Sequence, residues 1–206
     1  MARLPARAVR AMIPGSSISE ESAVKIRFAP LLLATTLAGA SLAGDFQLTS
    51  PDFAPGARLA EAQVFNGFGC AGGNVSPALH WSGAPEGTRS FAVTVYDPDA
   101  PTGSGWWHWL VFNLPADTRG LKPGAGDPKA GLLPGGAVQS RTDFNQPGYG
   151  GPCPPVGHGT HRYIFTVHAL KVDTLPLDAH VPGAMVGYYL NQNTLAKAVL
   201  QGTYSR

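Results

Sequence analysis

The chain has 206 residues, 44% of them hydrophobic and 14% charged, with a formal net charge of +2. That length and apolar content suit one domain with a sizeable core and exclude a disordered polymer. The 26 glycines and 19 prolines are spread along the sequence, which favours a turn-rich β protein over a helical bundle.

Residues 1–43 differ from the rest. Lys25 and Arg27 precede an apolar run from Phe28 to Ala38, and small residues follow to Ala43. That is the order of a secretory signal peptide, with cleavage expected after Ala43 and Ala40 as the second choice. A retained anchor helix is the alternative, but the run is shorter than the roughly 20 residues that span a bilayer. The expected division is therefore a leader, 1–43, and a single domain, 44–206. The leader holds Arg3, Arg7, Arg10, Lys25 and Arg27 against Glu20 and Glu21. The remainder has 10 basic and 11 acidic residues, a net charge of −1. With no basic run left, nucleic-acid binding is excluded as an expectation.

In chain order, Phe46–Leu48 and Ala62–Phe65 are strand candidates. Asn66–Pro77 reads as an irregular glycine-rich loop. It carries Cys70 and lacks the GK[ST] ending of a phosphate loop. Leu79–Trp81 starts another strand. Phe91–Tyr96 is a continuous apolar and β-branched run, suited to a buried strand. Asp97-Pro98-Asp99-Ala100-Pro101 ends it, because proline cannot continue a central ladder. Trp106-Trp107-His108-Trp109 leads into a second apolar strand, Leu110–Leu114. Alternation would set Trp107 and Trp109 on one face and His108 on the other. Ala137–Thr142 is a further strand candidate. Asp143–His161 is a long irregular segment, of a length usually kept for function. Arg162–Leu170 is the third strong strand. Pro182 suits a first helical turn. Ala184–Leu190 and Thr194–Leu200 both read as helical, the second through a stripe of Leu195, Val199 and Leu200, with Gly202 ending it.

The two cysteines, Cys70 and Cys153, both follow the leader. In an exported chain they most simply form one disulfide. Two buried free thiols are the alternative, and a zinc site lacks its CxxC spacing.

The polar groups at strand ends are Asp97, Asp99, His108, His161 and Tyr163. A metal site is one reading, but no HxH or HExxH pair fixes a geometry. Acid–base catalysis by Asp97 with a histidine is another, but no GxSxG supplies a nucleophile. Anion recognition is the third: two imidazoles, a phenol and glycine-loop N–H groups are donors for phosphate-like oxygens. Asp97 would orient a histidine or accept from an ammonium group. A head group carrying both signs, such as phosphoethanolamine, would satisfy both. Asp99 is expected to cap its turn through its own backbone. His80, His168 and His180 read as structural.

The DPDAP stretch from Asp97, Trp107-His108 before a Val/Leu strand, and Gly-Pro-Cys-Pro-Pro ahead of His161-Arg162-Tyr163 resemble the phosphatidylethanolamine-binding protein family. The nearest likeness is to its bacterial Raf-kinase-inhibitor-like group, over about residues 45–206. DPDAP and HRY at this separation are together highly specific. The resemblance implies a mostly β fold: an antiparallel β-sandwich with a few short peripheral helices, a C-terminal helical segment and a small anion pocket at one end. Carried over by motif, Asp97, Pro101, His108, Pro154, Pro155, His161 and Tyr163 would bind the ligand. Trp107 stands where eukaryotic members often have a second histidine, and His158 is a local variation outside the motif. A Cys70–Cys153 bridge would tie the first glycine-rich loop to the Pro154–Pro155 segment.

The function expected is an exported, periplasmic or secreted binding protein for small anions or phospholipid head groups, not an enzyme. The alternative is a protein-interaction module inhibiting a kinase or protease. Expected partners are a phosphate-containing small molecule or head group, a protein target and a second copy of the chain. No cofactor and no metal are expected.

Overall fold

The structure is a computed structural model that describes residues 45–206. The expected leader and its cleavage site lie outside the described residues. The elements are β1 (Gln47–Thr49), β2 (Asn66–Gly67), β3 (Cys70–Ala71), β4 (Leu79–Ser82), β5 (Ser90–Asp97), β6 (Trp106–Pro115), β7 (Gly120–Leu121), β8 (Val138–Gln139), β9 (His161–Leu170), α1 (Gly183–Asn193) and β10 (Thr194–Tyr204). A five-stranded sheet runs β10-β9-β5-β6-β8 and a three-stranded sheet β1-β4-β7. Every pairing within them is antiparallel.

The two sheets close on one core. Leu48, Leu79, Trp81 and Leu121 of the small sheet meet Phe91, Val93, Val95, Val111, Tyr163, Phe165 and Val167 of the large one. The Trp81 and Phe91 rings pack 5.5 Å apart and those of Phe53 and Phe165 5.1 Å. The opposite face of the large sheet carries a second cluster. There Ala92, Leu110 and Phe112 take Val186 and Leu190 of α1. Strand β5 is thus buried on both faces, which is why its sequence is a continuous apolar run and not an alternating one.

Four chain segments differ from expectation. Thr194–Leu200 is not a helix but the start of β10, paired along β9. Its inward residues are Ala198, Leu200, Gly202 and Tyr204, at period two, while Leu195 and Val199 of the expected helical stripe are exposed. Gly202 does not stop a helix. It lets β10 pass close to the Leu59 side chain, which a Cβ there would strike. Among the described residues α1 is therefore the one helix, where several were expected. Glu61–Val64 is a turn, with Gln63 N–H bonding Ala60 O and Val64 N–H bonding Glu61 O, so the expected strand at Ala62–Phe65 is absent. Of the expected strand 137–142 only Val138–Gln139 forms a strand, paired with β6, and Arg141 makes an isolated bridge to Pro147.

The glycine-rich loop after Phe65 is more regular than expected. Gly67 faces Cys70 across a two-residue turn in which Phe68 (φ 52°) and Gly69 (φ 81°) are both left-handed. That is the conformation favoured in tight hairpins, and it is costly for a residue as large as phenylalanine.

No helix of the described residues is long and apolar enough to cross a membrane.

Phe165 is fully buried between the sheets. Phe165→Ala is expected to lower the unfolding free energy by about 3–5 kcal/mol, read from urea denaturation of the oxidised protein.

Candidate functional site

Three strand ends converge at one end of the large sheet. On β9, His161 shares the core-facing parity of Tyr163, Phe165 and Val167. On β5, Asp97 shares the parity of Phe91, Val93 and Val95. Because β5 and β9 are antiparallel, the end of one lies beside the start of the other, with Tyr96 opposite Ile164.

His108 reaches the same place through a bulge. Val95 pairs with Trp109 and Tyr96 with Trp107, so His108 has no partner across the ladder. An extra residue on one strand breaks the alternation and re-aims side chains. Trp109 lies in the core between the sheets, Trp107 packs with the opposite cluster, and the His108 ring meets Tyr163 at 5.1 Å. The expectation that Trp107 and Trp109 share a face is thereby corrected. Trp107 instead lies against Gly183 of α1, where a Cβ would strike the indole.

Around these groups is a cavity of about 210 Å³. All seven residues expected at a ligand site line it: Asp97, Pro101, His108, Pro154, Pro155, His161 and Tyr163. Phe68, Ala100, Thr102 and Phe144, which sequence reasoning missed, complete the walls with Trp106 and Cys153. Phe144 comes from the long segment after β8 and packs on Trp106, His108 and Phe68. The length of that segment was the one sequence signal for it.

The polar floor is tightly bonded. Asp97 is 3% exposed. Its Oδ1 accepts the Asp99 N–H at 2.8 Å and its Oδ2 accepts from His161 Nδ1 at 2.7 Å. His161 Nε2 in turn stands 2.8 Å from Nδ1 of His158. His108 donates Nδ1–H to the Gly150 carbonyl at 2.6 Å. Burial holds its pKa down at about 4, against the pull of that carbonyl and of Asp97. Near neutral pH it is an uncharged imidazole whose Nε2 carries a lone pair, so it accepts a hydrogen bond where a donor was expected. Burial pushes the Tyr163 phenol upward, with Asp97 adding to the effect, so it stays protonated and can donate. Trp106 adds another donor: its Nε1–H is buried without a partner among the described residues, a condition that calls for an explanation.

Asp99 does not cap its own turn, as had been expected; Asp97 does. The Asp99 carboxylate accepts from the backbone N–H, Nε and Nη2 of Arg162 at 2.7–2.9 Å. Those bonds hold its pKa down at about 2. They pin the DPDAP turn to β9 on the outer face, away from the cavity.

The mouth is crosslinked. Cys70 and Cys153 form a disulfide. Arg206 bonds the carbonyls of Pro154, Gly69 and Phe68. Hairpin β2–β3 and the Pro154–Pro155 segment are thereby joined directly above the floor. Among the described residues no group of three or more His, Cys, Asp or Glu could hold a metal ion.

Residues 49–205 match the family model described as phosphatidylethanolamine-binding protein. The protein YbcL of Escherichia coli is 52% identical over 177 residues, covering 84% of this chain and 97% of its own. YbhB of the same organism is 52% identical over 161 residues, covering 77% and 99%. The crystal structure of E. coli YbcL, described as a new member of the mammalian PEBP family, superposes with a TM-score of 0.77. It is 55% identical and covers 78% of this chain and 98% of its own.

The depressed His108 pKa makes a prediction about stability. Above pH 6.5 the ring is neutral folded or unfolded. Between pH 6.5 and 4 the unfolded chain takes a proton that the folded chain refuses, so stability is lost as pH falls through that window and the loss levels below it. For His108 this amounts to about 3 kcal/mol. Denaturant unfolding of His108→Gln should show a fall smaller by about that amount than in the parent protein.

Proposed function

The chain belongs to the phosphatidylethanolamine-binding protein family, and on that premise we propose that its cavity binds a phosphate-like anion or a phospholipid head group in an exported protein. The observation that carries this reading is the buried Asp97–His161 pair beside neutral His108 at the floor of an otherwise apolar pocket. A buried carboxylate is tolerated when its oxygens are bonded, and here both are. Asp97 therefore does not confront an anion as a bare charge. It fixes the His161 ring and leaves Nε2 as the working atom.

The donor set suits oxygens of phosphate. Tyr163 O–H and Trp106 N–H lie among the lining groups. His108 Nε2 complements them as an acceptor. It can take the P–OH proton of a phosphate or an N–H of an ammonium group, so a phosphoethanolamine head group meets both kinds of partner. The volume supports a small guest. About 210 Å³ falls below the roughly 300–1,000 Å³ of sites that engulf drug-sized ligands. A head group would fill it, with acyl chains outside.

A binding role is favoured over catalysis because the buried carboxylate is spent on the Asp99 N–H and on holding His161, and both cysteines are joined. The same bridge supports export, since disulfides persist in oxidising compartments. A second reading, a protein-interaction module, draws on Phe68 and Val156, which are 67% and 77% exposed on the two crosslinked loops at the mouth.

Inorganic phosphate and phosphoethanolamine, titrated separately, are expected to give saturable changes at millimolar concentration in tryptophan fluorescence and histidine NMR shifts. His108→Ala and His161→Ala should each weaken the response tenfold or more. A folded parent protein with no saturable response would overturn the binding reading. Capture of an envelope or secreted protein that survives in both variants would favour the interaction module.

A further inference from the structure

Beside the cavity, and outside the family motif, stands His158. It lies on an exposed stretch, Pro155–Thr160, between Gly157 (φ 74°) and Gly159 (φ 93°). Both glycines are left-handed, and a Cβ on either would meet open space. Its backbone N–H is already bonded to Pro155 O, and its neighbour Gly157 to Arg206 O. With the disulfide and the Arg206 contacts, the loop is tethered without any help from the His158 ring. Yet that ring places Nδ1 2.8 Å from His161 Nε2, the outermost atom of the buried Asp97–His161 pair.

The proton count at this contact is fixed by geometry. Asp97 accepts from His161 Nδ1, so with both rings neutral His161 Nε2 is an acceptor and His158 Nδ1 carries the hydrogen between them. His158 thus makes the bond to His161 that a donor on a ligand would make.

We propose that His158 is a ligand-binding residue: a movable N–H donor that exchanges its bond to His161 for a bond to an oxygen of a tetrahedral oxyanion. The inference rests on the anion-binding reading above and deepens it. His158 Nδ1–H needs no added proton to donate. The His161 ring keeps its Nδ1–H on Asp97 and presents Nε2 beside the anion, so the two rings address two oxygens of one anion, His158 as donor and His161 as acceptor from a P–OH. The nearby carboxylates are held by other donors, Asp97 by His161 and Asp99 by Arg162, and Arg206 is spent on the Pro154, Gly69 and Phe68 carbonyls. His108 enters from β6 as the neutral acceptor. The paired glycines supply the backbone freedom for His158 to turn.

The test is calorimetric titration of the oxidised protein with sulfate, inorganic phosphate and glycerophosphoethanolamine, for the parent and for His158→Ala, His158→Asn and His158→Asp. His158→Ala is expected to weaken binding tenfold or more. His158→Asn, whose amide N–H stands in for Nδ1–H, should stay within about threefold of the parent, and His158→Asp should bind most weakly. A steric or purely structural role would not be rescued by asparagine. A larger loss for phosphate supports capture of the free anion, and a larger loss for glycerophosphoethanolamine supports head-group capture; both sustain His158 as a donor. Unchanged or tighter binding in a folded His158→Ala protein overturns this inference and leaves the anion-binding reading intact. If the parent protein binds none of the three probes, the anion-binding reading itself falls.

Discussion

Everything at this site depends on how one carboxylate is buried. Asp97 ends the central strand of the larger sheet, where the core runs out. An ionised carboxylate there would be costly if left unpaired. One oxygen accepts the N–H that closes the DPDAP turn, and the other accepts the Nδ1–H of His161 at the start of the neighbouring strand. The first bond shapes the cavity rim. The second joins two strand ends and sets the tautomer of the imidazole that faces outward from them. Structure and recognition share the same two bonds.

The second constraint is the bulge at His108. A regular strand would turn that ring away from the core and place Trp107 inward. The extra residue turns His108 toward Tyr163, where its Nδ1 finds the Gly150 carbonyl and desolvation keeps it neutral. A lone pair and several N–H or O–H donors then share one small apolar chamber. That mixed character distinguishes the site from a simple cluster of cations, which would bind any anion that approached.

The features legible in the sequence were those with a local cause. The unbroken apolar run Phe91–Tyr96 marked a strand covered on both faces, and DPDAP with HRY marked the two ends that meet. What escaped was decided by contacts between distant segments. Thr194–Leu200 has a residue pattern compatible with two periods, and only the free edge of β9 selects the strand. The facing of His108 follows from a bulge that no residue type announces. Asp99 offered a local cap, and Arg162 from another strand displaced that role. Phe68 and Phe144 became wall residues only when two separate loops were brought to the start of β6. His158 was noticed as a departure from the motif, but its meaning needed the position of His161.

The crosslinks at the mouth have a mechanical consequence. The disulfide and Arg206 bind the Phe68 hairpin and the Pro154–Pro155 segment to one another, while the Asp97–His161 bond of the floor joins β5 to β9. Two loops that would otherwise fluctuate independently are coupled into one unit over a fixed base. The two loops can therefore move only together, and reduction of the bridge would release one from the other without touching the bonds at the floor.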